Sequence, residues 1–465
     1  MHNRVRFIFV STCLLTLSSC ANLSAGNLFS HYSAQNQLLH SAVEAGRYDE
    51  AEQALPDAVA GDILDNMEKG RVYLLSGQTE QSQASLKASD QAVRAQQAQA
   101  TISLSETATS VGSLAVNDNL DTYQPADYEV GFLHLYLGLT YLEQNDLDGA
   151  LVEMRYANQV QEQARKDRER ELQAAQDKLE AEGLASNIGA ILARYPDAGA
   201  TLQAVQNGYL LYLSALLYEA DNDLNSAYVD YRRALAVQPD NLQISNGAIR
   251  VAKRLGMSED LQLLLKRYPE PEVVTSEQAR VIILDEQGVV QAREGWQQSL
   301  PIYDRRGYGA IYSIALPYYP SQYQTVFPEI TLNQQPLLGD TLVDVNQMAQ
   351  RDLSEKMPAI IIRQALRVWA KEELRKSASS SDKQDVGNLI VNIWNTLTEQ
   401  PDTRSWQTLP SVVSSRSAIV NSGQQVLKVA GQEYRFDVPA GQTALVWVSR
   451  QGNNAVIWHK QLGRL

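Results

Sequence analysis

Side chains that do covalent or metal chemistry are scarce in this chain of 465 residues, which has 5 His and 2 Cys. Cys13 and Cys20 make no C-x-x-C pair. His31, His40, His134 and His459 never fall at the spacing by which a helix or hairpin presents metal ligands. The sequence contains no H-E-x-x-H, no G-x-S-x-G nucleophile elbow and no glycine-rich phosphate loop. Asp and Glu number 54, but no spacing singles out a general acid–base pair. The expectation is a protein that is not an enzyme and carries no metal or cofactor. Two clusters have the chemistry of ligand binding. One is Asp402-Thr403-Arg404-Ser405-Trp406; the other gathers Tyr303, Tyr308, Tyr312, Tyr318, Tyr319 and Tyr323 beside Arg305 and Arg306. Aromatic faces next to guanidinium groups bind glycans and peptides. Arg404, Trp406, Tyr308, Tyr312 and Tyr319 are therefore the candidate ligand-binding residues. Each has a plainer reading: Arg404 paired with Asp402 locks a corner over Trp406, and tyrosines simply favour strands. His134, three residues before Leu137, reads as a core residue.

The elements that position these residues belong to a globular chain, 44% hydrophobic and 20% charged. At roughly 150 residues per domain, the length allows about three units. A formal net charge of −14 and a pI near 5.0 argue against a nucleic-acid partner, which calls for a basic face. No stretch reaches the roughly 18 apolar residues of a membrane-spanning helix.

The N-terminus reads as an address. Arg4 and Arg6 precede an apolar run from Phe7 to Leu17, too short to span a bilayer and suited to a secretory signal. Leu17-Ser18-Ser19-Cys20 follows and resembles a bacterial lipobox. That resemblance implies a signal peptide over residues 1–19, a lipid on Cys20 and a linker over 20–29. Ala21 and Asn22 lack the Asp that such proteins use for inner-membrane retention, so the implied location is the periplasmic face of the outer membrane. Cleavage removes Cys13 and leaves no disulfide partner.

Residues 30–270 are rich in Ala, Leu, Gln and Glu and read as helices. Leu137-Gly138-x-x-Tyr141 is followed by Ala150, Met154 and Ala157. Ala215-x-x-Tyr218 is followed, at the same separation, by Ala227, Tyr231, Ala234 and Pro239. Asn145-Asp146 and Asn222-Asp223 supply turn chemistry between the helices. The pattern resembles tetratricopeptide (TPR) repeats, in which small residues let paired helices approach. Weaker copies run through Gly70, Tyr73, Ser82, Leu86 and Ser89, and through Ala42, Gly46, Tyr48, Ala51, Leu55 and Ala58. A last pair spans Asn241 to Tyr268. Residues 97–125 read as a loop, and about 159–206 as a charged helical insertion.

Beyond Pro269-Glu270-Pro271 the texture becomes β-rich. Val281–Leu284 and Val289-Val290 flank Asp285-Glu286-Gln287-Gly288 and read as a hairpin. Ala310–Leu316, Val326–Leu332, Val426–Val429, Glu433–Val438, Ala444–Val448 and Ala455–Trp458 read as strands. Gly423, Gly431, Gly441 and Gly452 sit at turns, at intervals typical of a β-sandwich or small barrel. Two helices are expected at about 341–399, one from Asp344 to Lys376 and one from Val386 to Leu397. The fold class is thus multidomain α+β: an all-α TPR-like array over 30–270 and a β-rich, sandwich-like domain over 272–465 with a helical insert.

Asp402-Thr403-Arg404-Ser405-Trp406-x-x-Leu409-Pro410, with Asn117-Asp118-Asn119 upstream of Tyr123 and the helix from Pro358 to Lys371, resembles an uncharacterised group of Gram-negative outer-membrane lipoproteins. These pair TPR-like repeats with a C-terminal domain of unknown function, and the group implies no activity. The expected function is a lipid-anchored scaffold that binds another envelope protein through a TPR-like groove. The alternative is a lipoprotein that binds peptidoglycan or polysaccharide through its C-terminal domain.

Overall fold

The structure, a computed structural model, describes residues 31–103, 122–181, 206–303, 309–320, 325–379 and 401–465. After a short α1 (Tyr32–Gln35), five helical pairs follow among the described residues. They are α2 (Gln37–Glu44) with α3 (Tyr48–Gln53), α4 (Asp62–Leu75) with α5 (Thr79–Ser103), and α6 (Asp127–Glu143) with α7 (Leu147–Ala181). The last two are α8 (Gly208–Ala220) with α9 (Leu224–Val237) and α10 (Leu242–Leu255) with α11 (Ser258–Arg267). Each pair turns on one left-handed residue: Gly46, Gly77, Asn145, Asn222 and Gly256 in turn. Gly and Asn are the residues that tolerate this conformation at a helix C-terminus. Asn207, Asp223 and Asn241 cap the helices that follow them by accepting backbone N–H bonds.

The small residues do what the repeat pattern requires. A Cβ on Gly138 would lie 2.5 Å from Met154 Cε, and one on Gly70 would lie 2.5 Å from Leu86. Leu137, Ala150, Ala157, Ala215, Ala227, Tyr231 and Ala234 are fully buried, and Tyr218 is buried. Tyr141 is half-buried beneath the Lys87 ammonium.

The C-terminal half contributes β1 (Gln278–Gln287), β2 (Glu294–Tyr303), β3 (Gly309–Tyr318), β4 (Thr331–Leu332), β5 (Gln335–Pro336) and β6 (Asp340–Asp344). Then come α12 (Val345–Ser379), β7 (Val412–Asn421), β8 (Gly423–Val429), β9 (Gln432–Val438), β10 (Thr443–Gln451) and β11 (Asn454–Gln461). One sheet runs β11-β10-β1-β7-β6, a second runs β5-β4-β8-β9, and β2-β3 form a separate ribbon. β1 and β10 are parallel; their neighbours are antiparallel. Alternation along β1 divides the first sheet between two cores. Val281 and Ile283 pack with Leu427, Phe436 and Val438 of the second sheet. Ile282 and Leu284 pack with the helices. The layers are therefore helices, sheet, sheet. The helical core runs continuously from Tyr32 to Leu462, so it crosses residue 270 without a break.

Several expectations are corrected. There is no hairpin at 281–290, because β1 continues through Asp285, Glu286 and Gln287. Those charged residues are strand, held by partners far away in sequence. Most of Val326–Leu332 is not strand; only Thr331–Leu332 pairs, and Val326 is exposed. The 97–125 loop begins later, since α5 runs to Ser103, and Asn117-Asp118-Asn119 lie outside the described residues. The charged stretch from Gln159 is no insertion as far as Ala181; it continues α7. Thr341–Asp344 belong to β6 rather than to a helix. The strand over Val412–Asn421 was not anticipated. Residues 1–30, including Cys20, and the helix expected at Val386–Leu397 lie outside the described residues.

Candidate functional site: the inner face of the repeat array

The first helix of each pair faces the β-rich half, and α6 and α8 are buried on every side. From Tyr128 to Leu142, every α6 residue except Tyr141 is buried, and so is all of Gly208–Glu219. A helix that is apolar all round must be covered on both faces. Its second cover is β1 together with the segment 401–410.

That segment lies extended along the array as a strap. Glu68 of α4 accepts the Gln407 backbone N–H at 2.7 Å on Oε1 and the Thr408 hydroxyl at 2.6 Å on Oε2. Tyr32 also donates to Glu68. Glu129 of α6 accepts the Trp406 N–H at 2.7 Å, the Ala126 N–H at 2.7 Å and the Tyr123 hydroxyl. Arg71 Nε donates to the Thr408 carbonyl at 3.3 Å. Ser33 of α1 holds Thr403 and Gln407. Trp406 is fully buried, edge-on to Tyr136 at 5.8 Å, and its Nε1 donates to Thr408 Oγ1. Burial pushes the Glu68 carboxyl up to about 7, although the bonds from Thr408, Gln407 and Tyr32 pull it down.

Next to the strap, β1 presents Glu286 to the helices. Arg71 Nη2 reaches Glu286 Oε2 at 2.6 Å, and neither side chain is exposed. Tyr209 of α8, Trp447 and Ser449 donate to the same carboxylate. The Arg71 guanidinium lies 4.6 Å from the Tyr136 ring centre. Burial works to lower its pKa, yet the Glu286 carboxylate outweighs burial and holds it above the ordinary value. Asp285, one residue earlier, points to the opposite face. Arg450 grips it through two bonds, at 2.8 and 2.7 Å, and Arg416 lies 3.1 Å away.

The sequence-derived ligand residues are placed as follows. Arg404 is buried, forks onto Asp402 at 2.9 and 2.8 Å, and lies over the Tyr123 ring. Neither Arg404 nor Trp406 is presented to an outside ligand; both fasten the strap. Tyr319 is half-buried, and its hydroxyl accepts from Arg293 Nε at 2.9 Å. Arg293 Nη1 also donates to the Arg404 carbonyl at 3.0 Å, so this residue joins the two clusters. Tyr312 is on β3, in register with Leu300, and its side chain lies outside the described residues, as does Tyr308. His134 is buried between Tyr156 and Glu153, with Nδ1 2.7 Å from the carboxylate.

Sequence reasoning missed Glu68, Arg71, Glu129, Glu286 and Arg293. One signal was available: Glu129 and Glu286 interrupt otherwise apolar runs. Among the described residues no group of His, Cys, Asp and Glu is placed to hold a metal, and no helix is long and apolar enough to cross a membrane.

The outer face of the array differs. Between α7 and α9 lies an open groove of about 390 Å³, lined among others by Arg155, Asn158, Glu162, Tyr218, Val229 and Arg233.

No family model matches the chain, and no curated protein matches it. Several solved structures resemble half of it. A MamA structure (AMB-1) has 15% identity and a TM-score of 0.27 over 50% of this chain and 87% of its own. A putative kinesin light chain from Podosopora anserina with TPR-like repeats has 15% identity and a TM-score of 0.26, covering 50% and 91%. The TPR2AB domain of yeast Sti1, in complex with an HSP90 peptide, has 10% identity and a TM-score of 0.20, covering 50% and 88%. At these scores the assignment of TPR-like repeats rests on the helical pairs, their left-handed turns and their small-residue contacts.

Proposed function

We propose that this chain is a non-catalytic adaptor, lipid-anchored through Cys20 at the periplasmic face of the outer membrane, that binds another envelope protein. The carrying observation is the strap: the array holds an extended segment through side chains that grip its main chain. Holding a peptide is the work of a repeat surface that has no built-in chemistry. Here that inner surface is already occupied by the chain itself. The expectation of a partner bound in a TPR-like groove is therefore narrowed, and we assign the partner to the outer face. The groove between α7 and α9 is open there, and Val229 stands 55% exposed beside it. The anchor is supported by the lipobox-like Leu17-Ser18-Ser19-Cys20 and by the order of the preceding segments.

A photo-crosslinker at Val229 in the native envelope tests the docking surface. A discrete protein adduct is expected, lost on Arg233→Glu at a temperature where this variant, whose new carboxylate faces Asp230 and Glu162, is still folded. Adducts only with wall fragments, or an adduct indifferent to Arg233→Glu, would overturn the assignment. Cys20→Ser tests the anchor separately and should move the protein from the membrane to the soluble fraction.

A further inference from the structure

β1 meets the helices at two charged positions, Glu286 and Arg280, which share a strand face by alternation. At the Glu286 end each charge has its counter-charge, since Arg71 pairs with Glu286, although Arg71 Nη1 is itself buried without a hydrogen-bond partner. At the other end α8 brings Tyr212 and Glu219, α9 brings Tyr231, and α10 brings Arg250 near Arg280. Glu219 is already saturated. Arg250 forks onto it at 2.7 Å through both Nε and Nη2, Arg254 adds a contact at 3.3 Å, and the Tyr231 hydroxyl donates at 2.9 Å. Asp340 lies on the Tyr212 side, with Gln243 Nε2 3.5 Å from its Oδ2, and makes no ion pair with Arg280. Arg280 consequently makes no ion pair among the described residues, and its Nη1 is buried without a hydrogen-bond partner.

An enclosed guanidinium N–H with nothing to donate to is rare in folded proteins, and a bound ion or water is the usual explanation. Arg250 and Arg254 already occupy the Glu219 carboxylate, which leaves Arg280 without a counter-ion of its own among the described residues. Burial, with Arg250 adding to it, pushes Arg280 down to about 10, the direction expected of a cation that lacks its counter-charge. The Tyr212 hydroxyl, close by, donates to nothing among the described residues.

We propose that Arg280, with Tyr212 beside it and the Arg250–Glu219 pair behind it, forms a receptor for one oxyanion, a carboxylate or phosphate group carried by a ligand. The planar guanidinium fork matches two oxygens of either group. The site lies on the inner side of the array, apart from both the strap and the outer groove, and does not depend on the adaptor reading.

The test titrates the full chain with inorganic phosphate, and separately with acetate, at constant ionic strength set by chloride. The readout is the thermal unfolding midpoint, which rises with ligand concentration when a ligand binds only the folded state. One of the two anions should raise the midpoint beyond chloride, which distinguishes phosphate from carboxylate recognition. Arg280→Gln should abolish that rise, Arg280→Lys should weaken the apparent affinity about tenfold or more, and the exposed Arg435→Gln should leave it intact. No rise with either anion, or a rise that survives Arg280→Gln, overturns the proposal. A further readout needs no ligand. In chloride alone Arg280→Gln should unfold no earlier than wild type, because it removes an unanswered cation. Earlier unfolding would mean that the guanidinium has a partner inside the protein, and the proposal would fail.

Discussion

The inner and outer faces of the repeat array are built from the same helical pairs and live in opposite environments. On the inner face Glu68, Arg71, Glu129 and Tyr209 are fully buried, and each is bonded to the strap or to β1. On the outer side wet ion pairs occur: the side chains of Arg47 and Glu50 are 54% and 59% exposed, 3.3 Å apart. A buried pair is weak evidence for stability as such, because desolvation offsets the attraction. What it does supply is intolerance of error: a missing partner leaves a bare charge inside. The difference therefore separates a face that fixes how the two halves fit from a face free to meet something else.

The largest test of that contrast is Glu286→Leu, which leaves Arg71 uncompensated. It should lower stability by up to about 5 kcal/mol. Adding Arg71→Met should recover much of the loss, as read by denaturant midpoints in a double-mutant cycle. Losses that simply add would show that the pair is not coupled. Next is Trp406→Ala, expected to lower stability by about 3–4 kcal/mol through the cavity it opens beneath the strap. A loss under about 1 kcal/mol would mean that the strap is dispensable.

Glu68 sharpens the comparison through pH. Its folded-state value of about 7 lies above the ordinary 4.5. Between those limits the folded chain retains a proton that the unfolded chain has released, so this group's contribution makes stability fall as pH rises from about 4.5 to 7. Glu68→Gln should flatten that slope in unfolding curves taken across the window. A variant with an unchanged slope would place the titration elsewhere. The smallest effect belongs to the outer side, where Arg47→Ala should change stability by no more than about 0.5 kcal/mol. A loss several times larger would break the distinction between the faces.

Much of the helical half was legible because its information is local. Gly138 with Ala150, and Ala215 with Ala227, mark close helix approach, and Asn145 and Asn222 mark the turns. β8 to β11 were legible for the same reason: alternation broken by glycines. The misreading of β1 has one cause. Asp285-Glu286-Gln287-Gly288 looks like a turn because acidic residues in a strand need partners, and those partners are remote. Arg71 is 215 positions from Glu286, and Glu68 is 339 from Gln407. Arg404 and Trp406 were noticed for their chemistry, but their role as fasteners of the strap depends on Asp402, Tyr123, Tyr136 and Arg293, which only folding assembles.

By itself the sequence determined the helical pairs, their turns and the strands β8 to β11, and it raised the expectation of an address at the N-terminus. Each of these follows from residue spacing within a few turns or one hairpin. The tertiary structure alone decided that the inner face of the array is filled by the chain's own strap and β1. It also decided that Glu286 finds Arg71 while Arg280 finds no carboxylate among the described residues. Periodicity records which face of an element is apolar, but what covers that face depends on contacts hundreds of residues apart.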